Sequence, residues 1–285
     1  MKLAAAAAAT ALAATPVGFL QGRQAPGGGF VEPSGSSGPQ LTAWAALGLK
    51  AAGASPGRAL DYLSAHEGEL TEATDVELVA LAESALGRRP DRLLARIRRF
   101  QRVSGAIGPT VNSTIWGILA LRQAGEPAPH GAVRFVLRRQ ARSGGWSWYA
   151  GGRPDSNDTA AAVQALRSAR VGGPPIRRAL AYLQRLRNAD GGFALTPGRG
   201  SDTQSTAWAI QAFVAAGKPL PRGALAYLRS MRRSDGSFRY SRRYATTPVW
   251  VTAQVLPALA GRAFPLPLAG RSTPRRTGAR SRAGR

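Results

Sequence analysis

Two carboxylates stand close together in the segment Asp155-Ser156-Asn157-Asp158-Thr159-Ala160. Acidic side chains this close disfavour each other's ionisation, and where burial adds to the effect one of them keeps its proton and can donate it. The same residues also read as the opening of a helix. Asp155 or Ser156 at the N-cap, with Asp158 in the first turn, satisfies free N–H groups and opposes the helix dipole. Ser201-Asp202-Thr203-Gln204 opens a later segment in the same way, so capping accounts for both without chemistry. A second set is aromatic: Trp44, Trp116 and Trp208 each follow a Thr by two residues, and Trp250 lies close to the same place in the last copy of the pattern. Indoles brought to one place could stack on a flat or polycyclic ligand or stabilise a cation; alternatively they pack between neighbouring helices. Trp146, Trp148 and Tyr149 read as turn-sealing and rim residues. The chain has no cysteine, which removes disulfides, thiolate metal sites and a cysteine nucleophile. His66 and His130 match no metal-ligand spacing and read as exposed loop or helix-end residues. Neither a metal nor a cofactor is expected.

The elements that must position these residues repeat. The chain superimposes on itself at a period of about 40 to 47 residues, the sign of a repetitive helical architecture. Its clearest copy runs from Arg178-Ala-Leu-Ala-Tyr182-Leu183 through Asp190-Gly191-Gly192-Phe193 to Ser205-Thr206-Ala207-Trp208. Related copies contain Phe19-Leu20 with Thr42-Ala43-Trp44, Gly105-Ala106-Ile107 with Thr114-Ile115-Trp116, Phe135-Val136 with Asp158-Thr159-Ala160, and Tyr227-Leu228 with Pro248-Val249-Trp250. A weaker one spans Tyr62-Leu63, Gly68-Glu69-Leu70 and Thr74-Asp75-Val76, making about six. Each unit parses as an amphipathic helix, a glycine-bearing turn sealed by an aromatic residue, and an alanine-rich helix that begins at a Ser, Thr or Asp cap. The whole is expected to be all-α. One hairpin cannot bury its apolar stripe alone, so the units must pack side by side as an open solenoid or a closed ring.

Phe135-Val136, Gln140 and Gly144-Gly145-Trp146 resemble the QW motif of squalene and terpene cyclases, and Phe19-Leu20, Gln24 and Gly28-Gly29-Phe30 match it again. Arg187 and Arg232 stand at the Gln position in other copies. The resemblance covers most of residues 17–262 and extends to small secreted actinobacterial proteins with prenyltransferase and squalene oxidase repeats. It implies a closed (α/α)6 toroid, with the QW helices outside and the Thr-Ala helices inside, lining a central cavity. Asp155-Ser156-Asn157-Asp158-Thr159-Ala160 is similar to the Asp-x-Asp-Asp-Thr-Ala motif of class II terpene cyclases, whose middle carboxylic acid protonates an alkene or epoxide. Asn157 stands at that middle position, and an amide cannot replace the acid as donor. The resemblance therefore implies a catalytic acid only if Asp155 or Asp158 takes it over. The zinc centre of protein prenyltransferases needs Asp, Cys and His and is not implied, and lanthionine-type cyclases fail on the same ground. A glycosidase on such a scaffold needs two opposed carboxylates, for which Asp155, Asp158, Asp202 and Asp235 are raw material. The leading expectation is a non-catalytic toroid that binds a hydrophobic or polycyclic ligand, isoprenoid-like or corrin-like, in its cavity. The alternatives are a class II cyclase-like enzyme and a structural or protein-interaction module.

The N-terminal stretch makes an exported protein the expectation. The chain has 285 residues, with 39 Lys and Arg against 15 Asp and Glu for a net charge of +24. The arginines are spread over all repeats without an aromatic stacking platform, so nucleic acid is not the expected partner. Residues 1–14 read as a signal peptide: Lys2, a short Ala/Leu run, and small residues before a cut near Ala13 or Ala14. No segment is long and apolar enough to span a bilayer. Residues 15–265 form the toroid. Residues 266–285 read as a disordered basic tail, with six arginines from Arg271 onward, suited to anionic cell-envelope polymers.

Overall fold

The computed structural model describes residues 14–267. The apolar leader through Ala13 and the arginine-rich stretch from Arg271 lie outside the described residues. In chain order the helices are α1 (Pro16–Gln21), α2 (Pro39–Ala51), α3 (Ala59–Ala65), α4 (Ala73–Ala85), α5 (Asp91–Arg99), α6 (Val111–Gln123), α7 (His130–Arg138), α8 (Ser156–Ser168), α9 (Pro174–Arg185), α10 (Thr203–Ala215), α11 (Ala224–Ser230) and α12 (Pro248–Leu259). A single turn of 3-10 helix, Glu67–Glu69, follows α3. The short strands β1 (Phe193–Ala194) and β2 (Ser201–Asp202) pair antiparallel, Phe193 opposite Asp202, in the turn before α10.

The odd and even helices differ as the repeat requires. In α5, only Leu93, Leu94 and Ile97 are buried, and the arginines between them face water. In α6, nearly every residue is buried, including Asn112, Ser113 and Thr114. A helix that is apolar all round must be covered on all sides. The even helices are covered because each lies between two others, in the order α2, α4, α6, α8, α10, α12, and α12 packs back against α2. Gly48 of α2 makes that last contact possible, since a Cβ there would sit 2.5 Å from the carbonyl oxygen of Ala253. The odd helices pack outside their even neighbours.

A recurrent joint ties most outer helices to the next. Gly144, with φ of +95°, lies so close to the start of α9 that a Cβ would meet the Arg178 carbonyl oxygen at 2.5 Å. Gln140 completes the joint: its Nε2 donates to Gly144 O and Pro175 O, each at 2.8 Å. Gln24 bonds Gly28 O and Pro56 O in the same way. Where Arg187 and Arg232 stand instead, their guanidinium groups reach the corresponding carbonyls, Arg222 O and Ala14 O. Gly28, Gly105, Gly144, Gly191 and Gly236 thus dock their turns on the following outer helix rather than only ending their own, whereas Gly68 makes no such contact.

The even helices start earlier than their Thr-Ala sequences suggest. Thr42, Thr114, Thr159 and Thr206 lie three residues inside α2, α6, α8 and α10. Their hydroxyls do not cap; they accept the backbone N–H of the turn aromatic or aliphatic, Phe30, Ile107, Trp146 and Phe193, at 2.9 to 3.1 Å. Thr252 does the same for Phe238 at 3.0 Å. The caps are Thr110, Asp155 and Asp202, which accept the N–H groups of Ser113, Asp158 and Ser205.

Candidate functional site

These threonines give every even helix the same phase, and the phase builds a pocket. Two residues before the threonine, or before Val76 in α4, stand Gln40, Thr74, Asn112, Asn157, Gln204 and Trp250. Two residues after it stand Trp44, Leu78, Trp116, Ala161, Trp208 and Gln254. All twelve line one cavity of about 310 Å³, at the lower end of the range for small-molecule sites. Four residues of helix separate the layers, about 6 Å along the axis. The cavity is therefore a shallow cup with a mainly amide-bearing upper layer and a mainly apolar floor. Asp75, Asp155, Asp158, Trp148 and Leu195 complete its wall.

Trp44, Trp116 and Trp208 meet at the floor. Their centroids are 5.4, 5.8 and 5.8 Å apart and the planes cross at 85° to 89°, so all three pairs are edge-to-face. This is the favoured geometry for aromatic quadrupoles. The indoles pack on one another, and all three line the cavity. Trp250 is displaced upward into the polar layer, 5.9 Å from Trp44, and Gln254 takes its place below. Gln254 Oε1 accepts the Trp208 indole N–H at 2.7 Å and the Gln204 amide at 2.8 Å.

The carboxylates divide their roles. Asp155 is the N-cap of α8, with Oδ1 accepting Asp158 N–H at 2.8 Å. Asp158 caps nothing; its Oδ1 accepts Asn112 Nδ2 at 2.6 Å, and it is 4% exposed. Burial, then the adjacent Asp155 charge and the hydrogen bond to it, push Asp158 up to about 8 against the opposing pull of Asn112. Asp155 is raised too, by burial, while the N–H groups it caps hold it down. Both shifts run upward, so burial and mutual repulsion favour retention of a proton by the pair. Asn112 Oδ1 is buried without a hydrogen-bond partner, leaving an acceptor beside that proton. Gln40 Nε2 donates to Asp75 Oδ2 at 2.8 Å across the upper layer.

Asp202 is a cap as well, bonded to Ser205 N and Oγ at 2.7 Å each and pushed up to about 6 by burial; it does not reach the cup. Asp235 bonds Ser237 in its own turn. Those two supply no opposed carboxylate. His66 stacks on Tyr62 at 3.9 Å at the end of α3, and His130 is exposed at the start of α7. No cluster of three or more metal-ligating side chains occurs among the described residues. Sequence reasoning missed Gln40, Asp75, Asn112, Gln204 and Gln254. For Gln40, Asn112 and Gln204 the signal was an amide two residues before the recurrent threonine; Asp75 and Gln254 lack that mark.

No family model and no curated protein matches the sequence. Solved structures do. A protein from Actinoplanes superimposes with a TM-score of 0.69 at 22% identity, covering 90% of this chain and 98% of its own. The type II terpene cyclase MstE from Scytonema gives 0.66 at 16% identity over 89% and 96%. A wild-type glycosidase gives 0.63 at 15% identity over 90% and 97%. At these identities the likeness is one of fold: the chain is mostly helical and shares the α/α-toroid fold seen in type II terpene cyclases.

Proposed function

We propose that the protein binds a compact ligand in the cup, its apolar body on the indole floor and a hydrogen-bonding head against Asp158 and Asn112. The observation that carries this reading is a buried carboxyl bonded to Asn112, whose amide oxygen has no partner, above packed indoles. A buried polar atom left without a partner costs free energy that a ligand's head group would recover. An apolar cavity with a few convergent polar groups is the usual form of a small-molecule site. MstE, of the same fold, has been captured with geranylgeranyl dihydroxybenzoate as substrate, a molecule that joins an apolar chain to a polar aromatic head. Asn157 at the position of the class II acid supports binding without cyclisation, because an amide has no proton of the needed acidity.

A second reading has Asp158 as a general acid, favoured by its retained proton and by indoles placed to face a developing cation. One experiment separates the two. The purified protein is incubated with squalene, cobalamin and short prenyl alcohols while melting temperature and products are followed. Binding predicts stabilisation without product, and loss of about tenfold or less in affinity for Asp158→Asn. Acid catalysis predicts product formation that falls at least about a hundredfold in that variant. A protein that neither shifts nor converts any ligand removes both readings in favour of a scaffold.

Export and envelope attachment belong to the same proposal. Ala14 O accepts the Arg232 guanidinium and Thr15 caps α1. Cleavage after Ala13 keeps both bonds. N-terminal sequencing of the exported protein is expected to begin at Ala14, and retention of the leader in envelope fractions would contradict it. The arginine-rich residues from Arg271 are proposed to hold anionic envelope polymers, and their removal is expected to release the protein at lower salt.

A further inference from the structure

The cup has a floor for a reason that the helical repeat does not supply. The even helices are twelve or thirteen residues long, yet the cavity uses only their first two turns. The space beyond the indoles is taken by the segment that follows α12. Phe264 N–H donates to Gln164 Oε1 at 2.8 Å. Leu266 is gripped at both backbone groups by one side chain: its N–H donates to Gln123 Oε1 at 2.6 Å, and Gln123 Nε2 donates to its carbonyl at 3.0 Å. Both Phe264 and Leu266 are almost wholly buried. The Phe264 ring lies directly behind the floor, with its centroid 6.3 Å from that of Trp44 and 6.2 Å from that of Trp208.

We infer that Phe264 sets the depth of the cup and thereby the length of the ligand, making it a specificity-determining residue that the ligand never touches. This rests on the binding reading above. Gln123 and Gln164 are the positioning residues: Gln123 gives both atoms of its amide to the backbone of this segment, and Gln164 gives its Oε1 while its Nε2 stays on Ala160 O of α8. The ligand class that follows is an amphiphile whose apolar part is no longer than the distance from the amide layer to the indoles. Removing the phenyl ring leaves a void into which an indole or the tip of a longer ligand can move.

The test uses the full chain and a series of primary alcohols from butanol to tetradecanol, titrated by calorimetry. Affinity for the wild type is expected to rise about fourfold with each methylene that leaves water, then to stop at a break where the chain meets the floor. In Phe264→Ala the break moves to a longer alcohol; Phe264→Leu serves the same purpose if the alanine variant does not fold. A second readout needs no ligand. In a Trp148→Phe background, which removes the exposed indole, acrylamide quenching of the remaining tryptophans is expected to rise severalfold on Phe264→Ala. An unchanged break together with unchanged quenching overturns the inference and leaves the binding reading standing. Increased quenching with no alcohol bound by either protein instead removes the binding reading, while the floor remains assigned to Phe264.

Discussion

Burial and the neighbouring Asp155 charge act together on Asp158, and this gives its protonation a measurable consequence. Its pKa lies near 8 in the fold against an ordinary 3.8. Between those values the folded chain holds a proton that the unfolded chain has lost, so stability declines as pH rises through that window and no penalty remains below it. Asp158→Asn, neutral at every pH, is expected to melt more nearly at one temperature across the window, the gap from wild type opening toward the alkaline end. Thermal melts at a series of pH values check this. Glu77 in α4 is a stronger case at a second site. It is fully buried beside Gly117, both carboxyl oxygens lack a partner, and burial raises it well above 4.5. Glu77→Gln is expected to match wild type in acid, where both side chains are neutral, and to exceed it in stability above neutrality. A variant equally stable at both ends would show that the carboxyl is not sealed from water.

At the level of the element, the hydroxyl that joins each turn to its helix is the unit of construction. Trp146 is wholly buried and its backbone N–H is met by Thr159. Thr159→Val keeps the shape and strands that N–H, which is expected to cost about 1–3 kcal/mol, with Thr159→Ser recovering most of it. Equal stabilities for the two variants would reassign the threonine to packing. Gly144→Ala is expected to be worse, since it combines left-handed backbone with a clash against Arg178 that cannot yield by a side-chain rotation. The repeat, the outer and inner alternation and the indoles of Trp44, Trp116 and Trp208 were legible because they recur in register. Trp250, expected close to the same place, lines the same cavity one layer higher, because the register of the last copy is set by Thr252, which follows Phe238 at 14 residues rather than the 13 of Trp146 and Thr159. The amide layer was hidden by chemistry: Gln and Asn on a helix read as solvated, and only convergence of the even helices turns them inward.

For the whole molecule, what matters is how the last repeat meets the first. A Cβ on Gly236 would sit 2.5 Å from Thr15 O, and the Glu32 carboxylate accepts the N–H groups of Val249 and Trp250 at 3.0 and 2.9 Å. Glu32 thus caps α12 from the far end of the chain. Glu32→Ala is expected to lose about 1–2 kcal/mol, as for a removed helix cap, and to raise hydrogen exchange first in α12. Uniform exchange along the chain would assign no special weight to the junction. None of this was visible in the sequence, where Glu32 lies in a proline-glycine stretch with nothing to mark its partner.

The bonds from Glu32 to Trp250 and from Gln123 to Leu266 span 218 and 143 positions. Contacts of such separation are slow to form. Here they have a further effect on order: the interior is sealed only once the segment 248–266 has met Glu32 and Gln123, so a chain truncated before Phe264 is expected to keep its helices over an unsupported floor.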